Sequence, residues 1–272
     1  MLEQKPRYRG AKILANVANA KSTAVANLMD DLFDSQGQGM ETIGAEDMQI
    51  PFLRVLQPLS PQLLKTDPKF IKGASAGDIF NTVTGQYWEA DEGLVVLMCA
   101  YTTKFLEFQL RENQGGFMGE LNADDPDIRK TERNGSVEML PNGNELVRSA
   151  QFLVLGIDGD GSTIQMICDM KKTQIKIAKQ WNTRRAGLKI QHPQKGMFNP
   201  PMWAVPWKLT SVQESNDKGS WFNYAVAQEE MDSVKPEAIM EARDLYNSFR
   251  AGEIKTGTGE EKSTPDSDDV PF

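Results

Sequence analysis

The fold is decided by residues 146–190, which read LVRSAQFLVLGIDGDGSTIQMICDMKKTQIKIAKQWNTRRAGLKI. The stretch begins with two runs rich in aliphatic, β-branched and aromatic residues, at 146–157 and 162–168. The sequence DGDG lies between these runs at residues 158–161, and it is typical of a β-hairpin turn. We therefore expect two antiparallel strands joined by a tight turn.

The hydrophobic spacing changes after this hairpin. Residues 170–190 place Ile175, Ala178 and Trp181 on one helical face, and Gly187 offers a stop signal. A helix with a single apolar face packs that face against a core. We therefore predict a helix here and interpret Trp181 as a core residue.

Further strands are predicted on both sides of this stretch. Runs rich in β-branched and aromatic residues lie upstream at 78–84 and 93–110. Downstream, the runs 203–213 and 220–227 flank a second turn sequence, NDKG, at 216–219. Strands, hairpin, helix and hairpin in this order match a five-stranded OB barrel, whose internal helix lies between its third and fourth strands. We expect a mainly β fold with flanking helices and an OB-fold-like barrel, although other small β folds with one helix share this order.

The chain divides into three predicted segments. Residues 1–47 form an N-terminal arm, with an amphipathic helix over 11–33 followed by a Gly-rich flexible piece. Residues 48–250 form the OB-fold-like domain, which includes a long polar loop over 111–144. Residues 251–272 are poor in apolar groups and form a disordered acidic tail.

Charge and hydropathy exclude several classes of protein. The 272 residues include 30 Lys and Arg against 38 Asp and Glu, so the net charge is −8 and the pI about 4.9. This excludes a uniformly basic nucleic-acid coat protein, but a local basic face stays open because net charge does not locate charges. No run approaches the roughly 20 apolar residues of a membrane helix, and the N-terminus lacks the apolar segment of a signal peptide. We expect a cytoplasmic protein without membrane contact.

Cysteine and histidine are too scarce for the common metal and nucleophile sites. Cys99 and Cys168 lie apart in apolar runs, which predicts reduced core thiols. The chain adds only His192, so a Cys/His zinc site is excluded, and His192 has no evident partner for Ser/His/Asp chemistry. No nucleotide-binding fingerprint is present. We predict no catalytic residue, no metal and no cofactor.

Basic residues are concentrated in one part of this acidic chain. No Asp or Glu occurs between residues 171 and 195. Lys and Arg neutralise phosphates and release their counterions, so such a segment favours nucleic acid over a merely solvated face. The phosphate contacts that we predict are Lys171, Lys172, Lys176, Lys179, Arg184, Arg185 and Lys189, and Lys195 completes the segment.

Aromatic residues follow the basic segment closely. Single-stranded nucleic acid exposes unstacked bases beside its phosphates, and aromatic faces stack on those bases. Trp203, Trp207 and Trp221 are the predicted stacking residues, together with Tyr87 or Trp88 at a strand end. The combination of cations and aromatics predicts a groove for single-stranded DNA.

The C-terminal end carries a second recognisable pattern. From residue 256 onward five acids oppose Lys262 alone, which gives a net charge of −4 over seventeen residues. The chain then ends in VPF, an apolar terminus directly after two aspartates. Tails of this kind resemble those of bacterial and phage single-stranded DNA-binding proteins.

The body resembles the phage-encoded members of the same functional class. The resemblance rests on IPFLRVLQPLSPQ at 50–62, GDIFNTVTG at 77–85, TQIKIAKQWN at 173–182 and NDKGSWFNY at 216–224. The predicted helix at 11–33 departs from the minimal bacterial version, which begins directly with the barrel.

The resemblance implies a function in phage DNA replication, recombination or repair. It also implies that the tail binds a polymerase, helicase, primase or recombinase, with the terminal Phe in an apolar pocket of the partner and the aspartates against a basic rim. The partner-binding residues would be Asp266, Asp268, Asp269, Val270, Pro271 and Phe272. The oligomeric state stays open, with a homo-oligomer among the options.

Two other functions compete with this interpretation. Asp169-Met170-Lys171 matches the acid-x-Lys element of metal-dependent nucleases, and Asp127 offers an upstream acid. Such triplets are frequent by chance, so we expect a protein that is not an enzyme. A non-DNA-binding adaptor would use the barrel and tail only for protein contacts, and it would leave the acid-free basic segment without a role.

Overall fold

The computed structural model describes residues 23–35, 38–42, 48–113, 115–217 and 219–260. The chain divides into two compact units, Met1–Gln49 and Ile50–Phe272. The predicted partner-binding residues, Asp266 to Phe272, lie outside the described residues, as does the first half of the predicted helix at 11–33.

In the first unit, helix α1 covers Thr23–Asp34. Helical structure is therefore confirmed for the second half of the predicted N-terminal helix. Large apolar side chains of α1 are exposed, among them Leu28, Leu32 and Phe33.

The second unit contains thirteen strands and two helices among its described residues. The strands are β1 (Phe52–Val55), β2 (Ile79–Asn81), β3 (Tyr87–Trp88), β4 (Leu94–Gln109), β5 (Gly116–Leu121), β6 (Glu132–Asn134), β7 (Val137–Met139), β8 (Glu145–Ile157), β9 (Thr163–Lys171), β10 (Ile190–His192), β11 (Gly196–Phe198), β12 (Pro206–Asn216) and β13 (Gly219–Gln228). The helices are α2 (Ile175–Gly187) and α3 (Pro236–Ala251).

Eleven of these strands form one sheet with the main order β13-β12-β4-β8-β9-β1-β2-β3. The long strands β4 and β8 pair antiparallel along most of their length and form its spine. Strand β1 is parallel to β9, whereas the other pairs along the main path are antiparallel. Strands β10 and β11 form a separate two-stranded hairpin.

Both predicted hairpins and the predicted helix are confirmed. Strands β8 and β9 flank the turn at 158–161, β12 and β13 flank the turn at 216–219, and α2 lies between the two hairpins. The side chain of Trp88 donates to Asp158 Oδ1 at 3.3 Å, which ties the first turn to β3. The mainly β fold with flanking helices is therefore correct.

The sheet is curled, and its path ends in β3 and β13. Strand β1 pairs with the edge of β9 that is opposite β8, so β9 and β13 are not neighbours. The Gln57 side chain, just after β1, exchanges two hydrogen bonds of 2.9 Å with the backbone of Phe222 in β13. The gap between β1 and β13 is thus bridged by a side chain. The five-stranded barrel itself stays a prediction.

The predicted polar loop at 111–144 is wrong as a loop. Most of it is ordered into β5, the 3-10 helix Pro126–Lys130 and the pair β6 and β7. Its few apolar residues anchor it, because Phe117 packs with Leu106 and Val147 of the spine, and Ile128 packs with Leu146. Sparse apolar positions among polar residues resemble a loop in the sequence, although Phe117 and Ile128 are buried and hold the segment to the sheet.

The sheet buries a different apolar cluster on each face, because alternate residues of a strand point to opposite faces. We call the first the α2 face, where Leu53, Phe152 and Cys168 pack with Trp181 of α2. We call the second the α3 face, where Phe52, Leu153, Ile167, Ala242 and Leu245 pack together. Helix α3 begins with Pro236 in its first turn and ends before Gly252 in a left-handed conformation.

The two cysteines are free and buried, as predicted, and they lie on opposite faces of the sheet. Burial raises the pKa of Cys99 to about 12, and burial also raises the pKa of Cys168. Both thiols are therefore protonated and shielded from reagents at neutral pH. Among the described helices, none has both the length and the apolar character needed to cross a bilayer.

Candidate nucleic-acid interface

Helix α2 divides the predicted basic segment between core and surface. Ala178 and Trp181 are buried against the sheet, as predicted, and Ile175 of the predicted face is partly buried there; Ile177, which was not predicted, is buried as well. Trp181 packs its ring 4.4 Å from that of Phe152 and 6.0 Å from that of Trp207. The buried side fixes the rotation of the helix, so its cations are presented on the opposite side.

Two of the predicted phosphate contacts are held by carboxylates. Lys172 Nζ lies 3.0 Å from Glu145 Oε1, and Lys176 Nζ lies 2.8 Å from Glu214 Oε1. The hydrogen bond from Lys176 lowers the pKa of Glu214, which keeps the acid ionised. These lysines reach solvent, but each already has a counter-charge.

Lys171 lies apart from the helix surface, contrary to the prediction that groups it with the α2 cations. It is two residues from Asp169 on β9, so both side chains project from the α3 face. Lys171 Nζ lies 2.7 Å from Asp169 Oδ2 and 2.5 Å from Glu260 Oε1. Its side chain is 15% exposed, so it does not extend the α2 surface.

The remaining cations form the candidate interface. Arg184 uses one Nη1 donor on the Val226 carbonyl at 2.7 Å and is otherwise exposed. Within the described part of the chain, no ion pair is made by Lys179, Arg185 or Lys189. They follow one another along the second half of α2 and the chain just after it. We call Lys179, Arg184, Arg185 and Lys189 the α2 cations.

The hairpin of β10 and β11 continues this surface in sequence. The backbone N–H groups of Gln194 and Lys195 both donate to His192 Nδ1 at 3.1 Å, so the histidine orders the turn. Beyond the turn, Met197 is 59% exposed and Phe198 is 43% exposed. An exposed aromatic ring beside cations is the pairing that single-stranded nucleic acid uses.

The predicted stacking tryptophans are placed differently from one another. Trp207 is 1% exposed and packs in the α2-face core, so it has no free face for a base and that prediction is corrected. Trp203 is half-buried and packs against the α3-face cluster, and Trp221 is half-buried on β13 opposite Glu214. Trp88 is buried, whereas Tyr87 is half-buried.

The stacking residues predicted from the sequence do not include Phe198, the exposed aromatic residue of the β10–β11 hairpin. Its signal was available, because Phe198 lies three residues after Lys195 in a short segment with a central Gly196 and little to bury. The prediction chose tryptophans as stacking residues, but large aromatic side chains are more often part of a protein core.

The two acids of the nuclease alternative are held by different cations. The Asp169 side chain is fully buried, and Arg54 Nη1 and Lys171 Nζ lie 3.7 and 2.7 Å from its oxygens. Asp127 pairs with Lys130 at 2.9 Å in a separate 3-10 helix. In the described ranges, no three His, Cys, Asp or Glu side chains are grouped as metal ligands would be.

An open groove of about 570 Å³ lies along β5. Glu107, Glu120 and Glu260 contribute to its lining. Its lining is acidic while Glu260 is in place, so we place the candidate interface on the α2 cations and the β10–β11 hairpin.

Comparison with known proteins identifies a family. Residues 19–255 match the model of a family described as Pam3 phage gp34-like protein. No curated protein and no solved structure matches the chain. The match covers most of the chain, including both faces of the sheet and all of the candidate interface.

Proposed function

The chain belongs to the Pam3 phage gp34-like family, and we propose that this phage protein binds single-stranded DNA. In this proposal it covers exposed strands during phage DNA replication, recombination or repair. Its place of action is then the cytoplasm of the host cell, where phage DNA is copied.

One observation carries the proposal: cations without a carboxylate partner are followed by a hairpin with an exposed aromatic ring, and Asn199 at the end of that hairpin donates to the Ala186 carbonyl of α2 at 3.1 Å. The α2 cations can neutralise phosphates without first breaking an ion pair. Phe198 offers a ring to an unstacked base, an interaction worth roughly 1–3 kcal/mol. A duplex hides its bases from such a ring, so this arrangement favours single strands.

The order of the long strands supports the same proposal. Strands β4, β8, β9, β12 and β13, with α2 between the third and fourth, follow the order of an OB fold. Pairing of β4 with both β8 and β12 agrees with a partly open barrel of this kind. In this proposal β1 is an added strand that lies between β9 and β13.

The proposal for the acidic tail rests on sequence alone. Asp266, Asp268, Asp269 and the terminal Val270-Pro271-Phe272 would bind a replication or recombination protein, with charge guiding the approach and Phe272 supplying apolar contact. A polymerase, helicase, primase or recombinase fits this description.

A titration with labelled DNA tests the proposed function. We expect labelled oligo-dT to bind more tightly than a duplex of equal length, with affinity falling steeply as salt rises. Fluorescence anisotropy of the DNA is the suitable readout, because Trp181 and Trp207 are buried and report poorly on surface binding. Equal affinity for both DNA forms, or no salt dependence, contradicts the proposal. DNA cleavage in Mg²⁺ that Asp169→Ala abolishes would favour the nuclease instead.

A further inference from the structure

A polar site lies on the α3 face beyond the end of helix α3. The chain leaves the helix through Gly252 and packs Ile254 on the apolar cluster. It then crosses polar side chains of β1, β8 and β9 with residues 257–260, which we call the strap. The strap is the last part of the chain that the structure describes, and its contacts with the sheet correct the prediction of a disordered tail for residues 251–260.

The strap is fixed to the sheet by its backbone. Gln151 Nε2 donates to the carbonyl of Gly257 at 3.0 Å, and Arg54 Nη2 donates to the carbonyl of Gly259 at 3.0 Å. Gly259 has a φ of +67°, which favours glycine. A Cβ at this position would lie 2.9 Å from both Arg54 Nη2 and the Phe52 ring, so a larger residue would force the strap or these side-chain ends to shift.

The strap also delivers one carboxylate to two cations. Glu260 Oε1 lies 2.5 Å from Lys171 Nζ and 3.3 Å from Arg54 Nη2. Both cations also face the buried carboxylate of Asp169. The positive charges of Arg54 and Lys171 thus face the negative charge of Asp169, and Glu260 supplies a second negative charge that balances the site. If the strap lifts, the site keeps one net positive charge.

Polar atoms beneath the strap lack hydrogen-bond partners. Ser149 Oγ, Gln151 Oε1 and Asp169 Oδ1 are buried and make no hydrogen bond within the described residues, whereas Asp169 Oδ2 is met by Lys171 Nζ at 2.7 Å. Buried polar atoms in native proteins are nearly always satisfied, so such a group at one place points to a ligand or water. These residues face each other in register on β8 and β9, where Ser149 is opposite Lys171 and Gln151 is opposite Asp169.

We propose that Arg54 and Lys171 form a phosphate-binding site that Glu260 fills while the strap is closed. The planar guanidinium and the mobile ammonium suit a phosphate group, which accepts hydrogen bonds from both. The phosphate belongs to the backbone of single-stranded DNA if the proposed function holds, and this part of the inference rests on that function. Free phosphate offers the same chemistry.

The strap can be opened in two ways that leave the sheet intact. Gly259→Ala introduces the clash with Arg54 and Phe52, and Glu260→Gln removes the competing charge. Gly257→Ala is the matched control, because a Cβ there meets nothing within 4 Å. Glu260→Gln frees Lys171 to bind phosphate. The double variant Glu260→Gln/Lys171→Gln then removes that phosphate-binding ammonium group.

The experiment measures binding of labelled oligo-dT against salt, and the melting temperature in inorganic phosphate, for the full chain and each variant. We expect Gly259→Ala and Glu260→Gln to bind oligo-dT more tightly, with a log–log salt slope steeper by about 0.7 for each added phosphate contact. We also expect inorganic phosphate to raise the melting temperature of these two variants more than that of the unchanged chain or Gly257→Ala. Adding Lys171→Gln should abolish both gains.

Two results separate this proposal from the proposed function. Unchanged affinity, slope and phosphate response in both opened variants would overturn the phosphate site, even if all variants bind oligo-dT. A phosphate response that Lys171→Gln abolishes, in a protein that binds no DNA, would support the site with free phosphate as its ligand. That second result would overturn the DNA-binding function instead.

Discussion

At the scale of single residues, exposure separates the roles of Phe198 and Trp207. Phe198 is 43% exposed, so Phe198→Ala should weaken oligo-dT binding by roughly 1–3 kcal/mol while barely changing the free energy of unfolding. Trp207 is 1% exposed, so Trp207→Ala should lower that free energy by about 3–5 kcal/mol through the cavity it leaves. Anisotropy titrations and urea unfolding of both variants measure the two effects. Loss of stability without loss of affinity in Phe198→Ala would assign that ring to packing.

The amino-acid sequence alone could not show which aromatic residues are exposed or which lysines are paired. Exposure depends on strand register, and the acids that pair with the lysines lie far away in sequence. Trp207 lies on the α2 face because it pairs with Val96, and a shift of one residue would have turned it to the α3 face. Lys172 and Lys176 are paired with acids 27 and 38 residues away in sequence. An acid-free segment therefore predicts local charge correctly, but it does not show which cations are already neutralised.

At the scale of elements, the second half of helix α2 should carry the electrostatic part of DNA binding. Lys179→Gln should lower the log–log salt slope of oligo-dT binding by about 0.7, and a triple variant with Arg185→Gln and Lys189→Gln by about 2. Arg250→Gln on α3 is the matched control, because that exposed cation hydrogen-bonds only to Tyr246 in the described structure. Equal slopes for Lys179→Gln and Arg250→Gln would show that binding depends on net charge and not on α2.

Elements with strong local patterns were predictable, and those defined by distant pairing were not. The turns at 158–161 and 216–219 and the apolar face of α2 follow from the sequence, because Gly-containing turns and helical spacing are local signals. Strand β1 has four residues, and its parallel pairing with β9 joins segments more than a hundred residues apart. The strap site depends on the same pairing, since it brings Arg54 beside Asp169, and no local pattern marks it.

At the scale of the whole molecule, the two buried thiols should make stability depend on pH in the alkaline range. Burial raises the pKa of Cys99 to about 12 and raises that of Cys168 as well, whereas an unfolded cysteine ionises near pH 8.5. The unfolded chain therefore binds fewer protons than the native protein above that pH, and the free energy of unfolding falls as pH rises. Between pH 7.5 and 9.5 each thiol should account for a loss of about 1.4 kcal/mol.

Urea unfolding at several pH values measures this loss, and Cys99→Ala and Cys168→Ala provide the matched comparison. Each substitution lowers stability near neutral pH by leaving a small cavity, but it should also remove its share of the decline between pH 7.5 and 9.5. Because the cysteines lie on opposite faces of one sheet, a thiol reagent should modify both at the same rate, set by global opening of the sheet. Faster modification of Cys99 would show instead that α3 detaches from its face before the sheet unfolds.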